Sequence, residues 1–225
     1  MMRKRNIVAV LVSLLGVSYL AYHITFPDYT RRFRLTIEVE TPDGVKSGSS
    51  VIETRFFSSG CWLPEACGMR AQARGEAVFV DLGHSKNLIA LLGWGPKGAD
   101  QEKLYELTRA ALAPGRKVNW EDEYKLKGEG DLPPAYVPTF VIFGDLNDPK
   151  TARVVRLDQF EQVLGLSAHF KRAWIETTND PVTRKIEQIL PWLPSHKGYL
   201  AGERPDLTNT RPSGNLTGNE FIRGL

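Results

Sequence analysis

Two cysteines and four histidines are all the thiol and imidazole metal ligands that the 225 residues offer. Cys61 and Cys67 stand in CWLPEAC with no second cysteine pair and no histidine nearby, which argues against a zinc site. His23, His84, His169 and His196 are isolated from one another, and neither H-E-x-x-H nor S-x-x-K occurs. Ser47, Ser49 and Ser50 (KSGSS) lack the G-x-S-x-G frame of a nucleophile elbow and read as solvated residues behind a turn. An excess of one charge is also missing. Lys and Arg number 29 against 26 Asp and Glu, for a net charge of +3. The cations are scattered, with no basic stripe interleaved with aromatics, which argues against a nucleic-acid partner. No internal repeat is visible.

Long apolar runs are absent except at the start. Arg3, Lys4 and Arg5 precede IVAVLVSLLGVSYLAYHITF, Ile7 to Phe26, which holds no Asp, Glu, Lys or Arg. About 20 residues at 1.5 Å rise span roughly 30 Å, the thickness of a hydrocarbon core. The run predicts a transmembrane anchor over 7–26 behind a cytoplasmic head of 1–6. A cleaved signal peptide is the alternative: Gly16, Val17 and Ser18 offer small residues, whereas Tyr19, Leu20 and Tyr22 carry the apolar run onward. Arg31, Arg32 and Arg34 beyond the run nearly balance the basic head. The shortness of the head decides the orientation, because a short cationic segment stays inside and the bulk of the chain is then exported. In an oxidising compartment Cys61 and Cys67 close a small disulfide loop, worth about 2 kcal/mol.

Beyond the run, short alternating segments dominate. Leu35, Ile37 and Val39 alternate with Arg34, Thr36, Glu38 and Glu40, the period of a half-buried strand. Pro42-Asp43-Gly44 supplies a turn into a partner strand, Ser50 to Phe57. Ala77 to Leu82 and Asn87 to Leu92, joined by GHSK, form a tight antiparallel hairpin. Asp100 caps a helix bearing Leu104, Leu107 and Ala111, stopped by Pro114-Gly115. PTFVIFGDL and ARVVRL are strands, and Asp158 to Leu164 is a short helix ended by Gly165. HFKRAWIETT alternates, with Phe170, Arg172 and Trp174 on one side and Trp174 in the core. Asp180 caps a last helix with Pro181 at its first position. The expectation is a single α+β domain over 27–194, a mostly antiparallel sheet of short strands with two or three helices, preceded by one transmembrane helix. Gly, Pro, Asn and Thr mark 195–225 as an extended C-terminal tail.

Two stretches invite a chemical reading. GWGPKG, Gly93 to Gly98, fits G-x-G-x-x-G, but its strand is hairpin-paired and Pro96 removes an N–H from the loop, so the glycines read as a connection, not a nucleotide site. GDLNDPK carries Asp145, Asn147 and Asp148. Pro149 and the missing downstream Gly and Glu defeat a calcium loop, and Asp before Pro reads as turn chemistry. Trp62 and Trp94, in the cysteine-bounded and glycine loops, are candidate partner contacts.

The runs GVKSGSSVIE, GEAVFVDLG, PTFVIFGDLNDPKTARVV and IETTNDPVTRKIEQILPWL resemble those of a group of uncharacterised bacterial proteins with an N-terminal membrane anchor. The resemblance covers roughly Arg32 to Pro194 and leaves CWLPEAC outside. It implies a bacterial inner-membrane location with the bulk of the chain periplasmic, and no activity or site residues. The functional expectation is a non-enzymatic protein that binds an envelope protein, an inhibitor or immunity role included, with no cofactor, metal, nucleotide or nucleic acid. One alternative is an envelope hydrolase using Asp145, Asp148 and His169. Another is an assembly factor holding a membrane complex through its anchor helix.

Overall fold

The computed structural model describes residues 2–25, 28–59, 68–95, 98, 100–165, 167–201 and 212–224. The expected disulfide between Cys61 and Cys67, and the expected contact Trp62, lie outside the described residues. The chain divides into two compact units, residues 1–30 with 55–72 and residues 31–54 with 73–225.

In the smaller unit α1 (Met2–Thr25) opens on Arg3, Lys4 and Arg5 and from Ile7 onward carries its apolar residues around the circumference instead of along one stripe. A helix of that kind is satisfied only when apolar surroundings cover it on all sides. Its side chains from 8 to 21 are all exposed, Leu15 and Tyr19 by 70% and 68%. Among the described residues no helix is long and apolar enough to cross a membrane. Elsewhere in this unit Arg55 Nε donates to both oxygens of Asp28 at 2.9 Å, and the guanidinium lies 5.1 Å over the Phe57 ring.

Two antiparallel sheets organise the larger unit. Alternation in β1 (Asp28–Thr41) puts Phe33, Leu35, Ile37 and Val39 wholly inside. The chain turns at Pro42-Asp43, with Gly44 at φ 105° and Thr41 Oγ1 donating to the Gly44 carbonyl at 2.8 Å, into β2 (Gly44–Ser59). These strands have 14 and 16 residues, so the expectation of short strands is corrected for the first hairpin. β3 (Gly68–Glu76, GMRAQARGE) escaped the sequence reading because polar and small side chains leave it no apolar alternation. With β6 (Glu129–Asp131), β9 (His169–Thr177) and β10 (Ile222–Arg223) these form a six-stranded sheet in the order β10-β3-β2-β1-β9-β6. The second sheet runs β4-β5-β7-β8, from β4 (Val78–Gly83), β5 (Lys86–Ala90), β7 (Phe140–Phe143) and β8 (Ala152–Val155). His84 and Ser85 take φ of 52° and 60° in the β4–β5 turn, the mirror-image turn that suits strand twist.

The smaller sheet is buried on both faces, which explains its unbroken NLIALL run. Leu88, Ala90 and Leu92 join Phe33, Leu35, Ile37, Val39, Leu104 and Leu107 in one cluster. Ile89 and Leu91 face a second cluster with Phe143, Ile186, Leu190, Leu200, Leu216 and Phe221. Leu200, Leu216 and Phe221 belong to the stretch expected as an extended tail. That expectation is corrected for the described residues: they pack through single apolar side chains too far apart to show a period, each wholly or nearly wholly buried.

Helices are few and mostly short. α2 (Lys103–Leu112) starts later than Asp100 suggested; Asp100 Oδ1 accepts from the Glu102 N–H at 3.2 Å. α3 (Trp120–Glu123) follows, and α4 (Phe160–Leu164) ends on left-handed Gly165 at φ 63° as expected. α5 (Ile186–Ile189) does not begin at Pro181. Asp180 forms an ion pair with Arg34 rather than capping, and the Thr178 hydroxyl accepts the Asp180 N–H at 3.1 Å.

Candidate functional site

The outer face of the six-stranded sheet carries the densest set of charges among the described residues of the larger unit. The polar positions of β1 and β2 point there, opposite the core residues. Glu53 accepts from Arg32 Nε at 2.7 Å and lies 3.8 Å from Arg74 Nη1. Arg34 pairs with Asp180, and its Nε stands 4.0 Å from Glu176. Glu38 receives Lys171 Nζ at 3.1 Å and Arg172 Nη2 at 3.0 Å.

The Glu38 cluster depends on a bulge. Pairing between β1 and β9 slips between Glu38 and Val39, which oppose Arg172 and Phe170. Lys171 is the extra residue, so two consecutive cations meet one carboxylate. The slip also corrects the expected alternation. Phe170 packs against the first core cluster with Ala173 and Ile175, while Trp174 is half-buried on the other face, beneath the Arg172 guanidinium at 5.1 Å. Trp174 Nε1 is buried without a hydrogen-bond partner. The Arg172 hydrogen bond, helped by Lys171, holds the Glu38 carboxyl down at about 2, and the same bond raises Arg172. Side-chain exposure is 13% for Glu38 against 44% and 46% for Lys171 and Arg172. The carboxylate is sunk and the cations stand proud of it. A fixed, ionised acid of this kind transfers no proton near neutrality; what the face presents is oriented donors.

Two further polar groups are built by tertiary structure. His84 Nε2 lies 2.9 Å from Asp43 Oδ2, joining the tips of the β4–β5 and β1–β2 hairpins in the open. Glu76 is buried, and its carboxylate accepts the N–H groups of Lys185 (2.9 and 2.7 Å) and Ile186 (2.9 Å), so it supplies the cap of α5 that Asp180 does not. Burial pushes its pKa up against those hydrogen bonds. A cleft of about 90 Å³ lined by Glu76, Arg184, Glu187 and Ile222 adjoins it.

The carboxylates singled out in the sequence are turn residues. Asp145 Oδ1 accepts from Asn147 N and Nδ2 at 2.9 and 3.0 Å, and Asp148 Oδ1 accepts from Lys150 N at 2.9 Å. Thr151 Oγ1 donates to the Asp145 and Asp148 carbonyls. His169 sits elsewhere, opposite Glu40 at the start of β9 in the other sheet. Among the described residues no three His, Cys, Asp or Glu side chains gather to hold a metal.

Trp94 is 1% exposed and donates Nε1 to the Tyr136 carbonyl at 2.7 Å. Its assignment as a partner contact is therefore corrected: the indole belongs to the first core cluster. Trp94 and Asp100 exchange backbone hydrogen bonds of 2.8 and 3.2 Å, and β5 runs antiparallel to both its neighbours. Gly93 is required by space, since a Cβ there would stand 1.9 Å from the Gly98 carbonyl oxygen.

No protein-family model, no curated protein and no solved structure matches this chain.

Proposed function

We propose that the chain is a bacterial inner-membrane protein, anchored by α1 with its larger unit in the periplasm, that works by binding an envelope protein and performs no chemistry of its own. The observation that carries the reading is α1, an all-round apolar helix whose described side chains are all exposed. Its described side chains stop at residue 21, while the charge-free run in the sequence continues to Phe26. Roughly 20 apolar residues behind a cationic head fit a bilayer with the head inside. The charged sheet face around Glu38, Glu53 and Trp174 is the binding surface in this reading. Lys171 and Arg172 are held in place by Glu38, so a partner meets donors whose side-chain freedom is already restricted.

Alkaline phosphatase and green fluorescent protein, each fused to the C-terminus, test the placement. Active phosphatase and a dark fluorescent fusion are expected; the reverse pair overturns it. Capture of an envelope protein by the full-length chain, lost on Arg172→Glu, tests the surface. Thiol alkylation before and after reduction tests the proposed Cys61–Cys67 bridge: labelling only after reduction is expected.

A further inference from the structure

The last described residues join the larger unit through a 3-10 turn, Gly218–Glu220, and the two-residue edge strand β10. The Phe221 carbonyl accepts from Ala77 N–H at 2.8 Å, and the Glu220 carbonyl accepts from Leu92 N–H at 2.7 Å. Ile222 and Arg223 pair with Glu76 and Gly75 at the edge of the six-stranded sheet. Two side chains anchor the segment. Leu216 and Phe221 are wholly buried, the Phe221 ring 5.9 Å from Phe143 and 5.8 Å from Trp192.

The segment also makes its own shape. Glu220 Oε2 accepts the Thr217 N–H at 2.7 Å and its hydroxyl at 2.8 Å, and Thr217 Oγ1 accepts the Asn219 N–H at 3.2 Å. The turn that spaces Leu216 from Phe221 is thus internal, while the seat is formed by Ala77, Leu92, Phe143, Trp192 and the β3 edge. The ladder itself is two residues long, so the segment is held mainly by its two buried side chains and by its backbone bonds to Ala77, Leu92 and Leu200. Adding a strand to a sheet edge is a common way of binding an extended peptide.

We propose that this seat is an exchangeable strand-binding groove, filled in cis by residues 216–224 and able to take the same segment from a second copy of the chain. The ligand class is a peptide with an aliphatic residue, a Thr-x-x-Glu turn, an aromatic and two extended residues after it. Identical elements exchange at low cost because every contact is recovered. The covalent tether favours the cis strand through a roughly millimolar effective concentration, so weakening that strand favours the trans one. The inference is independent of the membrane placement.

The test uses full-length protein in detergent and a fluorescent synthetic peptide of residues 212–224, with uptake read by anisotropy. Phe221→Ala and Arg223→Pro in the protein weaken the resident strand, the second by removing the backbone donor opposite Gly75 without emptying the core. Peptide uptake about tenfold or more above wild type is expected in the variants, a modest share of the tether's advantage. Unlabelled peptide competes, and a peptide carrying F221A does not. Absence of uptake by folded variants overturns the proposal. Global unfolding of both variants overturns it too, because the strand is then part of one cooperative unit.

Discussion

Glu38 shows how one residue's environment is set by a register slip. Its ordinary pKa near 4.3 falls to about 2 in the fold because Arg172 and Lys171 stabilise the ionised form. A depressed acid stabilises the native state above its unfolded pKa, and that contribution is lost as pH falls from about 4.3 towards about 2. Glu38→Gln should therefore flatten the acid limb of a stability–pH curve over that window and change little near pH 7 beyond a lost surface pair. An unchanged acid limb excludes the coupling. The sequence showed Glu38 as a polar position on a strand, but not its partners, because the bulge breaks the alternation of HFKRAWIETT. Trp94 was equally hard to read: a tryptophan between two glycines looks exposed, and only its place in the first core cluster and its bond to the Tyr136 carbonyl show burial. Trp94→Phe leaves the Tyr136 carbonyl without its donor and should cost on the order of 1–2 kcal/mol in denaturant melts. Asp148 is a turn staple, so Asp148→Ala should lower stability by ~1 kcal/mol. A loss of partner binding at unchanged stability would instead assign Asp148 to the functional surface.

At the level of elements, apolar periodicity decided what was legible. β1, β4, β5, β7 and α2 each show a face or run that a core must accept, and all are present. β3 has no such pattern and is a strand because β2 and β10 pair with it. The start of α5 was misread for a related reason. TNDPV has good capping chemistry, yet the cap is Glu76, a residue 109 positions away in sequence from Lys185. Glu76 has the opposite linkage to Glu38. Its pKa is raised by burial, so the native state holds the proton more tightly and stability declines as pH rises from the ordinary carboxylate value through the raised one. Glu76→Gln should remove that downward slope in chemical-denaturation curves collected from pH 4 upward, at some cost from the weaker acceptor. If the slope survives in the variant, another group produces it. Space requirements are also element-scale facts. Gly48 lies so close to β4 that a Cβ would meet the Phe79 carbonyl oxygen at 1.9 Å, which fixes where β2 passes β4.

For the whole molecule, two features of the sequence carry different kinds of information. The α+β class and antiparallel pairing follow from alternation and turn chemistry. The division into two units and the burial of the C-terminal segment do not, because they depend on which distant residues meet. The functional reading rests on the first helix, where composition alone constrains the surroundings. Val8, Leu11, Leu14, Leu15 and Leu20 are more than half exposed, and leaving such residues in water forgoes about 1.5–3 kcal/mol for each side chain that burial would return. Lipid provides that burial around a whole circumference, which a single protein face does not. Charges in the same stretch invert the balance: Leu11→Asp and Leu15→Asp each cost about 2.5–3.5 kcal/mol at a helix centre on insertion scales. The double variant should leave the carbonate-resistant membrane fraction while the near-ultraviolet circular dichroism of the larger unit stays as in wild type, since the clusters of that unit are built from residues between 33 and 222. Retention of the double variant in the membrane would assign attachment to another segment. Loss of the dichroism together with the membrane signal would mean that α1 is needed for the larger unit to fold, and the anchor reading would give way to a structural one.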